Sequence, residues 1–231
     1  TEAAPAPAPV AATGGPSGAD VADLPFTASS AIRALLALSA KIRIDEVGAT
    51  DTTESLTNGV SSRRNQLLMD MSSELGLNSI DGAGEADVAT LSATVDKAAK
   101  GYKPFGPVLA EAVKERTRKL FGAAGVKANR IAERVTGTWQ LGAGWAQHVT
   151  AEIVLGTREG TSTRDGDLAT LPLDAPTNAA GVDALIDAAV AAVAAREGIA
   201  VSLPSAGGSA DGVVDSAALD AYAASVTGED G

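Results

Sequence analysis

The chain has 231 residues, of which 45% are hydrophobic but only 3% aromatic, so its core must be built from Ala, Leu, Val and Ile, a composition that favours packed helices over a β-sandwich. It contains no cysteine and a single histidine, His148, which removes disulfides, thiolate nucleophiles, iron–sulfur clusters, two-histidine metal sites and any Ser-His-Asp triad built on another imidazole. A formal charge of −11 argues against nucleic-acid binding, and without a bilayer-length apolar run or a basic signal start the chain reads as soluble and cytoplasmic.

Residues 1–27 are Ala/Pro-rich and then Gly/Ser-rich. Alternating prolines favour an extended tether, and Gly14, Gly15 and Gly18 make a hinge after it. Such a segment buries too little to offset its ordering entropy and is expected to be a flexible linker. A tether there, with a second one over 204–231, is what a domain set within a longer polypeptide would carry. From Ser29 the pattern changes. Ile32, Leu35, Leu36 and the run Ser39 to Ile42 recur at helical spacing, with Ser29 or Ser30 available as cap, and predict a first helix to about Arg43. A polar loop follows to Gly59, with Val47 and Leu56 as apolar anchors. Leu67, Leu68, Met71 and Leu75 stripe a second helix that starts near Ser61 or Ser62 and ends before Gly76. Val88, Leu91 and Val95 mark a third, ending near Lys100.

Pro107 opens the next helix, which carries Val108, Leu109, Ala112, Val113 and Leu120 and stops at Gly122. Ile131 and Val135 stripe another. Residues 146–156 fit a helix or a short strand, because Val149, Ile153, Val154 and Leu155 satisfy neither period well. Ala179 to Arg196 is a helix, and Asp215 to Val226 predicts a short terminal one. Tyr102, Phe105, Phe121, Trp139 and Trp145 are expected to form the core of a second helical subdomain. The fold class expected is therefore all-α.

Charge is unevenly spread. Residues 1–95 hold 5 basic and 12 acidic side chains, residues 96–134 hold 10 and 4, and residues 135–231 hold 3 and 13. The basic stretch from Lys97 to Arg134 is expected mostly on one solvent face, either to orient the domain on acidic surfaces or to compensate the acidic remainder.

In LTNGVSSRRNQLLMDM, Ser61 follows a glycine turn at the start of a striped helix, where a hydroxyl faces solvent beside unpaired backbone N–H groups. A phosphodiester attached there would gain about 0.3–1 kcal/mol from the helix dipole. On pattern alone a serine at such a place is simply a preferred helix N-cap. Other candidates carry less. LGAGWAQ holds Gly142 and Gly144 without the third glycine or the strand of a dinucleotide loop, and reads as a helix-linking turn. His148 has no acid or serine partner by spacing and reads as packed or surface structure. Asp45 and Glu46, like Asp165 and Asp167, are expected to be solvated loop charges. No nucleophile elbow, phosphate loop or metal spacing occurs, so no catalytic residue is assigned.

Three strings, LTNGVSSRRNQLLMDMSSELG, FGAAGVKANRIAERV and TWQLGAGWAQ, resemble in order the carrier domain of fungal and actinobacterial type I fatty acid synthases, over about Ser29 to Ser202. The resemblance implies a four-helix acyl-carrier bundle over 28–104, a structural helical subdomain over 105–203, and flanking linkers over 1–27 and 204–231. It places a 4′-phosphopantetheine arm, delivered from coenzyme A by a phosphopantetheinyl transferase, on Ser61, with Ser62 as the neighbouring alternative. Such a domain is not an enzyme by itself. It shuttles thioester-bound acyl groups among the ketosynthase, ketoreductase, dehydratase, enoyl reductase and malonyl/palmitoyl transferase centres of one synthase, with no metal, membrane or nucleic-acid partner. Arg63 and Arg64 depart from free-standing carriers, which have Leu next and an acidic recognition helix, and Asn58 stands where the family has Gly. The rival reading is a structural helical module that never carries a prosthetic group.

Overall fold

The computed structural model describes residues 17–204. The terminal helix expected at Asp215 to Val226 lies outside the described residues, as do 1–16 and the rest of 205–231. The described chain forms α1 (Ala28–Ala40), α2 (Thr53–Leu56), α3 (Ser61–Leu75), α4 (Val88–Ala98), α5 (Pro107–Phe121), α6 (Arg130–Glu133), α7 (Ala143–Gly156) and α8 (Ala179–Glu197). A five-residue π turn, Arg134–Thr138, continues α6. Among the described residues, pairing of β type is confined to isolated bridges, so the architecture is all-α.

Each helix begins and ends for local reasons. The cap of α1 is Thr27, ahead of both Ser29 and Ser30, and Ser30 completes a reciprocal capping box from the third helical position. Ser29 is engaged elsewhere: its N–H and hydroxyl both donate to Asp96 at the end of α4 (2.9 and 2.8 Å). Lys41 closes α1 in the left-handed conformation. Gly76 does the same for α3 and Gly198 for α8. The loop between α1 and α3 contains the short α2, and Val47 and Leu56 anchor it in the core as expected.

Two hydrophobic clusters fill the interior. One gathers α1, α3 and α4 with Leu109 of α5 and Ala151 and Leu155 of α7. The other gathers Leu120 and Phe121 of α5, Ile131, Val135, Trp139 and Trp145, then Val149 and Ile153 of α7 and the apolar face of α8. The ambiguous segment 146–156 is thus helical and lies between both clusters. A helix with apolar residues on opposite sides shows no single stripe, which is why neither period emerged. Of the aromatics expected together, Phe121, Trp139 and Trp145 share the second cluster. Tyr102 and Phe105 instead pack on the first, where Phe105 meets Phe26 at 5.1 Å between ring centres.

Residues 17–27 are held rather than free. Asp23 accepts from the N–H groups of Gly144 and Trp145 at the start of α7 (3.3 and 3.4 Å), the Trp145 indole donates to the Ala22 carbonyl (3.0 Å), and Phe26 is buried. This explains the glycines of LGAGWAQ. A Cβ at position 142 would lie 2.2 Å from the Asp23 carboxylate, and one at 144 would lie 2.1 Å from the Leu24 carbonyl. Ser17 pairs with Ser202, so both ends of the described chain lie side by side.

Two buried charges tie helix ends together. Glu74, on α3, is 2% exposed. It accepts from Tyr102 Oη (2.7 Å), Gly106 N (2.6 Å), Val108 N (3.0 Å) and Leu109 N (2.8 Å). Because Pro107 has no N–H, this carboxylate satisfies the donors that the first turn of α5 offers. Burial, and then the bond to Glu74, push the Tyr102 phenol far above its ordinary pKa. Arg158 donates to the carbonyls of Leu155 (2.8 Å), Ala37 (3.0 Å) and Ile42 (2.5 Å), joining the C-terminal ends of α7 and α1.

Replacing Glu74 with Ala leaves four donors without their acceptor and is expected to lower stability by about 3 kcal/mol or more in urea unfolding. Glu74→Gln, which keeps the shape but turns an N–H toward N–H donors, should fall in between. A loss below about 1 kcal/mol for Ala would mean that water replaces the carboxylate.

Candidate functional site

The turn before α3 sets where Ser61 points. After α2, Asn58 and Gly59 take consecutive left-handed conformations (φ 53 and 69), held by Asn58 N to Ser55 O (3.2 Å) and Gly59 N to Glu54 O (3.0 Å). A Cβ at position 59 would meet nothing within 4 Å, so glycine is favoured there by backbone conformation rather than by space. Asn58 is a residue that tolerates the same region. The turn delivers Val60 as an extended N-cap and Ser61 as the first helical residue.

This corrects one expectation. Ser61 does not cap α3, since the capping position belongs to Val60 and no side chain caps that end. The Ser61 side chain is exposed and makes no hydrogen bond in the structure. Ser62 is equally exposed. The hydroxyl of Ser61 stands at the positive end of a 15-residue helix, whose apolar stripe, Leu67, Met71 and Leu75, is buried in the first cluster. Arg63 is exposed, and Arg64 lies 4.0 Å from Glu54 across the turn. Val60 and Met69 are large exposed hydrophobic residues on the same helix and its cap. The helix end favours a negatively charged group on Ser61. Among the described residues no group of three or more His, Asp or Glu is placed to hold a metal ion.

His148 is half-buried in α7, its Nε2 3.3 Å from the Pro25 carbonyl and its ring edge-on to Phe26 at 5.0 Å. It borders a groove of about 340 Å³ that also holds Ser29, Ser92, Arg33 and Arg196. No carboxylate hydrogen-bonds the ring, and Ser29 is taken by Asp96. The imidazole is packed structure. Burial pushes its pKa below the ordinary value, opposed by the Pro25 carbonyl.

The loop acids are not all solvated. Glu46 accepts from Ser162 Oγ (2.6 Å) and Arg43 N (2.8 Å) and pairs with the Arg43 guanidinium (2.7 Å). Burial works against its charge, but the Ser162 and Arg43 hydrogen bonds with the Arg43 and Arg164 charges hold its carboxyl below the usual range. Asp45 pairs with Arg43 at 3.3 Å, whereas Asp165 and Asp167 are exposed. The basic stretch also divides. Lys97, Lys100, Lys103, Lys114, Arg118, Lys119 and Lys127 are exposed. Arg130 and Arg134 turn to α8, pairing with Asp183 (2.7 Å) and Asp187 (2.7 Å), and Trp139 Nε1 joins Asp187 (2.7 Å). Pattern reading missed Glu74 and Arg158. The one visible signal was a glutamate inside the Leu67, Met71, Leu75 stripe.

Two outcomes follow. Ser61→Ala removes no hydrogen bond and should change stability by less than about 0.5 kcal/mol in denaturant titration. For His148 the folded pKa lies below the unfolded one, near 6.5, so protons bind the unfolded chain first and stability falls as pH drops through 6.5 toward the folded value. The difference in melting temperature between His148→Gln and wild type should therefore shift in favour of the variant between pH 7 and about 5. A pH-independent difference would contradict the burial argument.

Compared with known proteins, the chain matches no family model and no curated protein.

Proposed function

We propose that the chain is the acyl carrier region of a type I fatty acid synthase and that Ser61 holds a 4′-phosphopantetheine arm. The observation that carries this reading is the Ser61 hydroxyl itself: it lies in the string LTNGVSSRRNQLLMDM, it is exposed, it is free of hydrogen bonds, and it opens a long helix whose apolar stripe is fixed in the core. A group added there displaces no packing and breaks no cap.

The residues present fit such a group. In the loading step the Ser61 oxygen forms a bond to the β-phosphorus of coenzyme A, the diphosphate bond breaks, adenosine 3′,5′-bisphosphate leaves, and the serine proton passes to a base of the phosphopantetheinyl transferase. With the arm attached, the N–H groups of the first turn of α3 would lie beside its phosphodiester, and Arg64 on the next turn would add positive charge nearby. When bound, the arm supplies the thiol that a cysteine-free chain lacks, and acyl groups ride on it as thioesters. In this role Ser61 is an attachment point and not a nucleophile during turnover. The partners are the transferase and the catalytic domains of the synthase, in the cytoplasm, with the chain itself non-catalytic. Among the described residues no helix is long and apolar enough to cross a membrane.

A carrier tethered to its enzymes works at millimolar effective concentration, so weak contacts suffice at each visit. The exposed α3 surface, with Val60 and Met69 as scattered apolar side chains between polar ones, suits brief contacts.

Incubation of the chain with coenzyme A and a broad-specificity phosphopantetheinyl transferase tests this. Intact mass should rise by one phosphopantetheine in wild type and in Ser62→Ala, and should not rise in Ser61→Ala. Modification on Ser62 would move the site by one residue, and no modification of wild type would leave a structural helical module as the reading.

A further inference from the structure

A groove of about 520 Å³ opens between the C-terminal end of α1, the later turns of α5 and the segment after α7. Leu38 and Leu168 supply its apolar part. Lys41, Arg116, Lys119 and Arg158 bring four cations to it, against the single acid Glu159. In a chain of net charge −11 this is a local reversal of sign, well away in sequence from the α3 surface that bears Ser61.

The pairing pattern sets the groove apart from an ordinary solvated face. Seven arginines are withdrawn from solvent. Arg43, Arg64, Arg130, Arg134 and Arg196 each have a carboxylate within 4.0 Å. Arg116 and Arg158 have none, and both line this groove. They donate to carbonyls instead: Arg116 Nη1 to Thr157 O at 3.3 Å, and Arg158 to three carbonyls at the ends of α1 and α7. These bonds fix both guanidinium groups in place. Two helix ends, each equivalent to about half a negative charge, offset only part of four cations. Burial, and then the charge of Arg116, bring the Arg158 pKa down to about 10, with Glu152 and Glu46 opposing. The two guanidiniums therefore repel across the site with no contacting anion between them. At the rim, the Lys41 ammonium makes no hydrogen bond or ion pair in the structure. Lys119 reaches Glu159 at 3.6 Å, with both side chains mostly exposed.

We propose that this groove binds a small phosphorylated molecule of the diphosphate class, its phosphates held by Lys41, Lys119 and Arg116 and a compact organic group resting on Leu38 and Leu168. The volume is that of a small-molecule site. Preset guanidiniums match phosphate geometry, and lysines at the rim add mobile charge. The excess of three positive charges over Glu159 is what a diphosphate neutralises. An acidic protein segment would need a longer basic track than one groove offers. This proposal does not rest on the carrier reading, because it uses no residue of the Ser61 surface.

Isothermal titration of the full chain with inorganic pyrophosphate at low ionic strength tests it, together with amide NMR shifts at Gly160 and Thr161, which line the groove. Saturable one-to-one binding is expected, with shifts at those two amides. The Lys41→Gln/Lys119→Gln variant, which alters only exposed side chains, should bind about tenfold or more weakly. Lys97→Gln/Lys127→Gln removes equal charge elsewhere and should stay within about twofold. No saturable binding, an equal loss in both variants, shifts confined to other amides, or binding of poly-glutamate but not of pyrophosphate would each overturn the proposal.

Discussion

The structure of this protein turns on a carboxylate that has no cation. Glu74 is buried at the end of α3 and accepts from one phenol and three backbone N–H groups at the start of α5. A buried carboxylate is costly unless its lone pairs are filled, and a helix N-terminus is costly unless its donors are filled; each here meets the need of the other. The contact is so close that a Cβ at Gly106 would lie 2.1 Å from the Glu74 carbonyl. This joint fixes the end of α3 against α5, while the body of α3 packs on α1.

The second half is attached by the same principle with the sign reversed. Arg158 draws together carbonyls from the ends of α1 and α7, and Glu152 of α7 pairs with Arg196 of α8. Helix α7 contributes to both hydrophobic clusters, and the segment 17–27 lies along its first turn. The two halves are joined through shared helices.

Charged side chains in this chain do three different jobs, and composition does not separate them. Arg130 and Arg134 fasten the α6 region to α8 through Asp183 and Asp187. Lys97, Lys100, Lys103 and Lys127 are exposed. Arg116 and Arg158 are fixed by carbonyls beside an open groove without an acid in contact. The basic stretch seen in the sequence is therefore part fastening, part solvated surface and part binding groove.

What the sequence determined by itself was what local physics controls. Apolar spacing in α1, α3, α4 and α5, the glycine stops at Gly76 and Gly122, the Ala-rich α8 and the turn before Ser61 were legible because each depends on residues within one or two turns. Only the tertiary structure decided which hydroxyl caps α1, since Thr27 and Ser30 form a reciprocal box and Ser29 is claimed by Asp96 from α4. It decided that 146–156 is helical, because a helix shared by two cores loses its stripe. It divided the aromatics between two clusters. It gave Glu74 and Arg158 their partners 28 to 121 residues away, a pairing that follows from how helix ends meet and that no spacing along the chain encodes.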